Sequence, residues 1–538
     1  MSEPSETELI QLRAELLSSI QQLSSRCLYQ SSKWSSEALI AIDLPDAARN
    51  TTIVPCAHFD ISDKEMLAKS YFDCHEYDRC AHLLVNEKSA LSVFLRLYAL
   101  YISGEKKKEE EHEGILSPKD GISPNRQITT IVRELDDYFS QHPGEEEPFL
   151  LYLYGVALIH QKNTKEALSK LISSVTIFPY NWSAWQEILK CVDSLDKFKA
   201  VATLLPRHLM GRIFNIYALQ EFYQHDTINL DEIDDILTFL PDFNFLIIQK
   251  ALMQYHGLNY TESEQAFEKV LKNDPHRLDD MDTYSNILYV MERRPKLAYL
   301  AQLASSTDKF RPETCCIIAN YYSLKSEHEK SITYYQRALT LNRNCLSAWT
   351  LMGHEFVELK NTHAAIESYR HAIDVNKKDF RAWYGLGQAY EVLDMNYYSL
   401  YYYQRAAALK PYDARMWQAL GNCYEKLGKI DEAIKSYKRS LKLSDMDPVI
   451  LLRIALIYEK LSDFDQCAQY MRMCLHEEES EGVTEETSQA RLWLAKFELS
   501  KGRYRQANDY AKLFSRGSAA ELEEARAIVR ETRTRLDQ

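Results

Sequence analysis

The sequence predicts an all-α fold, a solenoid of stacked helix–turn–helix repeats. Three tryptophans, Trp349, Trp383 and Trp417, stand 34 residues apart. Small and aromatic residues follow them with the same period, namely Gly353, Gly387 and Gly421, then Tyr369, Tyr403 and Tyr437. A 34-residue period with this pattern is typical of the tetratricopeptide repeat, which stacks into a right-handed superhelix.

Seven consecutive windows keep this register without an insertion, and they begin at Asn244, Leu278, Pro312, Leu346, Phe380, Ala414 and Pro448. Position 8 of every window is small, which lets the first helix of a repeat approach the second. Position 24 is aromatic in five windows, and we expect it to fill the seam with the next repeat. We expect the tryptophans at position 4 to lie in the core, where replacing one by alanine would cost about 3–5 kcal/mol.

Weaker repeats flank these seven and bring the expected total to about thirteen. We expect N-terminal helices and divergent repeats over 1–103, further repeats over 127–243, the seven regular repeats over 244–481, and a C-terminal repeat with a capping helix over 482–538. An acidic segment over 476–486 interrupts the period. A charged helix over 519–536 suits the end of a solenoid, whose last repeat would otherwise expose an apolar face.

Residues 104–126 are charged and poor in apolar residues, and we expect a mobile loop there. Ser117 and Ser123 each precede a proline, with a basic residue shortly after, which suits a proline-directed cyclin-dependent kinase. Phosphate would add up to about two negative charges at each site. An unmodified, solvated linker is the alternative.

Composition argues against several functional classes. The formal net charge of −14 disfavours nucleic acid as the main partner, because phosphate binding needs a basic face. The 11 cysteines show no C-x-x-C pair and no zinc spacing, and no apolar stretch approaches the length of a membrane span. No enzyme motif is present. We therefore expect an intracellular, noncatalytic protein with no cofactor, no metal and no membrane or nucleic-acid partner.

The repeat geometry predicts a peptide-binding strip on the concave wall, which the first helices line. Positions 4, 7, 8 and 11 pack inside, so positions 2, 5, 9, 12 and 13 are left to face the groove. Amide side chains can pair with a peptide backbone, and carboxylates with its Arg or Lys. The alternative is that these positions are polar only because they are solvated. The predicted contact residues are Asp282, Asn286, Asn320, His354, Glu358, Tyr384, Gln388, Glu391, Asn422 and Glu425.

Several strings resemble a known family over nearly the whole chain. SAWTLMGHEFVELKNTHAAIESYRHAIDVNKKDFRAWYGLGQAYEVL (347–393), NYYSLKSEHEKSITYYQRAL (320–339) and YISGEKKKEE (101–110) are similar to subunit 8 of the anaphase-promoting complex, the cell-division-cycle 23 family. The resemblance implies a homodimer formed through the N-terminal half. It implies a scaffold role beside the other subunits of a multisubunit E3 ubiquitin ligase of mitosis. It also implies that the C-terminal groove binds a short basic and aromatic motif of propeller-type coactivators.

Two other functions stay open at this stage. The chain could be a repeat adaptor in a different machine, such as RNA processing or protein import, or an enzyme built on a repeat scaffold. Because it lacks a catalytic cysteine environment and a RING-type zinc spacing, we favour the noncatalytic scaffold. We expect it in the nucleus and the cytoplasm.

Overall fold

The computed structural model describes residues 5–45, 62–111, 124–144, 146–223, 227–444, 447–478, 482–514 and 516–536. Within these ranges the chain forms 29 helices and no strand, so the all-α prediction is confirmed. By its internal contacts the chain divides into two compact units, Met1–Arg343 and Asn344–Gln538. That boundary lies inside the segment of seven regular repeats, and the finer subdivision expected from the sequence stays a prediction.

The first unit contains eighteen of the described helices: α1 Glu6–Ser25, α2 Tyr29–Ala41, α3 Asp63–Asp73, α4 Tyr77–Leu83, α5 Ala90–Glu110, α6 Ile128–Gln141, α7 Pro148–His160, α8 Thr164–Ile177, α9 Trp182–Lys190, α10 Leu195–Ala202, α11 Leu209–Glu221, α12 Thr227–Leu237, α13 Asn244–His256, α14 Tyr260–Asn273, α15 Met281–Val290, α16 Arg294–Thr307, α17 Pro312–Leu324 and α18 His328–Leu341. The second unit contains the other eleven: α19 Leu346–Glu358, α20 Thr362–Val375, α21 Phe380–Val392, α22 Asn396–Leu409, α23 Ala414–Lys426, α24 Ile430–Leu441, α25 Pro448–Lys460, α26 Phe464–His476, α27 Glu485–Ser500, α28 Tyr504–Lys512 and α29 Ala519–Leu536.

The helices confirm the 34-residue register. Six of the seven first helices begin on the first residue of their window, and all seven second helices, from Tyr260 to Phe464, begin 34 residues apart. The turn residue at position 15 adopts a left-handed backbone in all seven windows, with φ between 54° and 73°. Only Gly428 among these turn residues is a glycine, so the turn is set by the packing of the two helices more than by its own residue.

The window at Leu278 is the exception, because helix α15 begins only at Met281. Asp279 forms ion pairs with Lys33 at 2.5 Å and with Arg311 at 2.8 Å. Leu278 is buried. The residues that would form the first helical turn are instead engaged in contacts with α2 and with the residue before α17.

In three of the regular repeats, a glycine at position 8 packs closely against a tyrosine at position 24. A Cβ atom added to Gly421 would lie 2.5 Å from the ring of Tyr437, and one added to Gly387 would lie 2.5 Å from the ring of Tyr403. The ring of Tyr369 also touches Gly385, which belongs to the repeat that follows its own. The expectation that position 24 fills the seam between repeats is confirmed there.

The expectation that the tryptophans lie in the core is confirmed fully for one residue and only in part for the other two. Trp349 is 1 % exposed and stacks on His371 at position 26, with ring centroids 4.6 Å apart. Trp383 and Trp417 are only half-buried, and each indole N–H donates to a backbone carbonyl six residues earlier. In the repeat of Trp417, position 26 is Arg439, an exposed side chain 3.9 Å above the indole, which leaves the ring partly open.

The predicted loop over 104–126 begins later than expected, because helix α5 continues to Glu110. Gly104 is buried, and a Cβ atom there would collide with the side chain of Asn125. In the run after it, Lys108 pairs with Glu105 at 3.0 Å and i, i+3 spacing, which supports the helix. Ser117 and Ser123 lie outside the described residues, so their phosphorylation stays a prediction.

The N-terminal helices α1 and α2 form a hairpin that packs on later helices of the first unit. Trp34 stacks on Trp182, with ring centroids 4.9 Å apart, and Ser31 donates to Asn181 at 3.0 Å. Arg277 pairs with Glu37 at 3.1 Å. Helix α2 therefore covers the residues of the first unit around Asn181, Trp182 and Arg277. None of the described helices combines the length and the apolar character that crossing a membrane requires.

Candidate peptide-binding face

The predicted strip is divided between the two units. Asp282, Asn286 and Asn320 lie in the first unit, and the remaining seven residues lie in the second. The seven are carried by three first helices: His354 and Glu358 by α19, Tyr384, Gln388 and Glu391 by α21, and Asn422 and Glu425 by α23. We call the side of α19, α21 and α23 that carries these residues the groove face.

The first-unit part of the strip is mostly internal. Asn320 is 3 % exposed, donates to Ser285 Oγ and to Asn286 Oδ1 at 2.6 Å each, and accepts a hydrogen bond from Tyr335. Asn286 is buried as well. These two amides are committed to bonds inside the protein, so the prediction that they face a ligand is wrong. Asp282 is half-buried, and its peptide contact stays a prediction.

On the groove face, the position-24 tyrosines reach the predicted residues from beneath. Their rings are buried, and their hydroxyl groups extend to polar side chains of the same repeat's first helix, which holds those side chains in one orientation. The hydroxyl contacts are Tyr369 with His354 Nδ1 at 2.8 Å, Tyr403 with Glu391 Oε2 at 2.7 Å, and Tyr437 with Asn422 Oδ1 at 2.6 Å and Glu425 Oε2 at 3.3 Å.

The carboxylates of the groove face also bind lysines of the following repeat. Lys426 Nζ lies 2.8 Å from Glu391, and Lys460 Nζ lies 2.9 Å from Glu425. The hydrogen bond from Lys426 to Glu391 raises the pKa of the lysine. A ligand cation that approached these carboxylates would have to compete with a neighbouring lysine. The contact of Glu391 and Glu425 with a ligand therefore stays a prediction.

Three predicted residues remain accessible to a ligand. Glu358 and Gln388 are exposed. Tyr384 is half-buried, with its ring centroid 5.4 Å from that of Tyr403. These three offer a carboxylate, an amide and an aromatic ring, which suits contact with a basic and aromatic peptide.

A pair of buried aspartates, not predicted from the sequence, holds arginines at the start of the first helices. Arg381 Nε donates to Asp379 Oδ1 at 3.0 Å, and Arg415 Nε donates to Asp413 Oδ1 at 3.0 Å. Burial alone would raise the pKa of Asp413, but Arg415 and Lys410 outweigh it and lower that pKa below its ordinary value. The string Asp-x-Arg-x-Trp, repeated 34 residues apart, was a signal that could have revealed them.

The first helices α21 and α23 thus carry arginine at position 2 and glutamate at position 12. These positions are about 15 Å apart along a helix, since each residue advances about 1.5 Å. The groove face can offer directional hydrogen bonds and charges of both signs to an extended segment. Across the described ranges, no group of three or more His, Cys, Asp or Glu side chains is placed to hold a metal ion.

Comparisons with known proteins agree with this architecture. A family model described as "Anaphase promoting complex subunit 8 / Cdc23" matches residues 11–251, and tetratricopeptide-repeat models match residues 312–345, 353–393 and 414–445. The "Anaphase-promoting complex subunit CDC23" of Saccharomyces cerevisiae is 39 % identical, and the match covers 100 % of both chains. The chain belongs to the Cdc23 family.

Other relatives of this Cdc23-family chain match it in part. "Anaphase-promoting complex subunit 8" of Arabidopsis thaliana is 40 % identical over 65 % of this chain and 66 % of its own length. "Cell division cycle protein 23 homolog" of Homo sapiens is 37 % identical over 55 % of this chain and 49 % of its own length. A crystal structure of the "APC/C hetero-tetramer Cut9-Hcn1" shares the fold, with a TM-score of 0.53 and 14 % identity, covering 88 % of this chain and 96 % of that one.

His354 generates a prediction about pH. Burial of its ring and, second to it, the charge of Arg381 lower the pKa of His354 to about 4 against the opposing effect of Asp379. An unfolded histidine has a pKa of about 6.5, so the stabilising contribution of neutral His354 is complete above that pH and is lost as the pH falls towards 4. We expect His354→Gln to reduce the fall of the thermal unfolding midpoint between pH 7 and pH 4. His363→Gln, at an exposed site on α20, is the control. Equal pH dependence in all three proteins would contradict the assignment.

Proposed function

We propose that this Cdc23-family chain is a noncatalytic scaffold subunit of an anaphase-promoting complex, the multisubunit E3 ubiquitin ligase of mitosis. The observation that carries the proposal is the full-length match to the yeast subunit, 39 % identical over both chains. A repeat array suits this role because each repeat contacts only its neighbours and leaves long faces open to partners. Partner subunits bind along these faces.

Other subunits perform the ubiquitin transfer. A catalytic cysteine needs a lowered pKa, since the thiolate is the nucleophile. Burial instead raises the pKa of Cys467 and of Cys474 to about 12. This environment supports a packing role for both thiols.

We propose that the groove face of the second unit binds a short basic and aromatic motif of the ligase's propeller-type coactivators. The support is the family resemblance together with the accessible side chains of Glu358, Tyr384 and Gln388. Glu358 pairs with a basic side chain of the motif, Gln388 bonds to its backbone, and Tyr384 contacts its aromatic residue. Glu391 and Glu425 contribute negative potential while bonded to their lysines.

Two further parts of the proposal rest on the resemblance alone. The chain homodimerises through its N-terminal half, and it acts in both nucleus and cytoplasm. A homodimer gives the assembly two copies of the groove face.

The assembly itself is tested by purifying the affinity-tagged chain from its own cells at its normal level. We expect other subunits of the anaphase-promoting complex in the eluate, because a scaffold subunit stays bound to its partners through purification. Recovery of RNA-processing or protein-import components, with no ligase subunits, would favour the adaptor alternative and overturn this function. Ubiquitin transfer by the isolated chain would overturn the noncatalytic assignment.

Coactivator binding is tested by the double variant Glu358→Lys with Gln388→Lys. Both sites are exposed, so the change reverses the local charge without breaking a contact to a position-24 tyrosine. We expect a labelled coactivator peptide to bind roughly tenfold more weakly by fluorescence anisotropy, the loss of about one charge-assisted hydrogen bond. Glu367→Lys, exposed on α20, is the matched control and leaves affinity unchanged. Equal affinity for all three proteins would place the peptide elsewhere.

A further inference from the structure

We propose that a crevice between helices α22 and α24 is a second docking site of this chain, for an extended acidic segment of a partner protein that carries an apolar anchor side chain. The crevice lies on the side of α23 opposite the groove face, since positions 4, 7 and 11 of that helix line it. It is therefore a different surface from the proposed coactivator site, and neither depends on the other.

The crevice has the size and lining of an anchor pocket. Its volume is about 460 Å³, within the usual range of small binding pockets. Trp417, Leu420 and Tyr424 of α23 form its floor, and Ala407 of α22 lies in one wall. The Trp417 indole N–H is already bonded to the Pro411 carbonyl, so the ring offers its apolar surface rather than a donor. Such a pocket accepts an apolar side chain.

Charge at the rim selects the partner. Lys435 and Arg439 line the crevice and are exposed, and Glu432 is the carboxylate beside them. Within the part of the chain that the structure describes, neither Lys435 nor Arg439 forms an ion pair. The Arg439 guanidinium instead lies 3.9 Å from the Trp417 ring centroid. On a chain of net charge −14, two unpaired cations beside an apolar pocket attract carboxylates and repel a basic segment.

Exposed aromatic residues extend the apolar surface along α22. Tyr397 is 72 % exposed and Tyr401 is 47 % exposed. With Gln404 and Ala408, which line the crevice, they recur at i, i+4, i+7 and i+11 and lie on one side of the helix. An apolar patch of this kind marks an interaction surface more often than a solvated one.

The neighbouring repeats provide an internal comparison for this patch. Positions 18 and 22 hold His363 and Glu367 in the preceding repeat, and Asp431 and Lys435 in the following one. Exposed second-helix positions in this array are thus ordinarily polar. Packing of the repeat does not require tyrosine there, so contact with a partner explains its presence better than stability does.

The site is tested by selecting peptides from a random dodecamer display library on the full-length chain. Beside basic peptides that bind the groove face, we expect a second class of enriched peptides that are acidic and carry one aromatic or aliphatic anchor. Their affinity should fall roughly tenfold or more for Lys435→Glu with Arg439→Glu, since two attractive charges become repulsive. The control is Lys429→Glu with Lys442→Glu, two exposed lysines flanking α24 outside the crevice, which leaves affinity unchanged.

Circular dichroism, coactivator-peptide binding and a single variant distinguish loss of the crevice from loss of the fold. Circular dichroism and binding of the coactivator peptide should be unchanged in the Lys435/Arg439 variant, because the groove face lies on the other side of α23. Lys435→Glu alone, which leaves the Arg439 contact with Trp417 intact, should give an intermediate loss. A selection that yields no acidic peptide beside the basic ones expected at the groove face, or acidic peptides that bind the variant equally well, would overturn the proposal. If the chain dimerises and only the Lys435/Arg439 double variant loses the dimer, the crevice binds a second copy of the chain. That result would also overturn the proposal.

Discussion

The contact between a glycine at position 8 and a tyrosine ring at position 24 is the constraint on which three consecutive repeats of the second unit depend. No side chain fits between them, since an added Cβ atom would lie 2.5 Å from the ring in three successive repeats. This close approach fixes the spacing of the two helices in each repeat. It also fixes where the tyrosine hydroxyl ends, on the groove face of the first helix.

The hydroxyl positions divide the polar residues of that face into two groups. His354, Glu391 and Asn422 hold a tyrosine hydroxyl and are therefore oriented by the core. Glu358 and Gln388 hold no position-24 tyrosine hydroxyl among the described residues, and they are exposed. Specificity for a ligand is expected from the second group, while the first sets the shape and potential of the surface. The side of α23 opposite the groove face has a different character, with the half-buried Trp417 beside two cations that form no ion pair among the described residues.

The fold could be predicted almost completely from the sequence, because a 34-residue period records the same packing contact many times. Helix starts at Pro312, Phe380 and Ala414 followed from that register alone. The period could not indicate contacts between residues distant in sequence. One of them is the ion pair of Asp279 with Lys33, which lies where α15 begins three residues late. The candidate site was predictable as a face but not as a set of free side chains. Position in the repeat shows which way Asn320 points, but not that three partners already occupy its amide.

The central claim, that glycine–tyrosine packing holds the groove face in place, is tested most directly by hydrogen exchange in Gly421→Ala. Overpacking should cost about 1–3 kcal/mol, more than the roughly 1 kcal/mol that alanine gains over glycine in a helix. We expect faster amide exchange over residues 414–441, as Tyr437 is displaced and Asn422 and Glu425 lose its hydroxyl. Lys435→Ala, on the exposed side of α24, should leave exchange unchanged. Slower or unaltered exchange in Gly421→Ala would contradict the account.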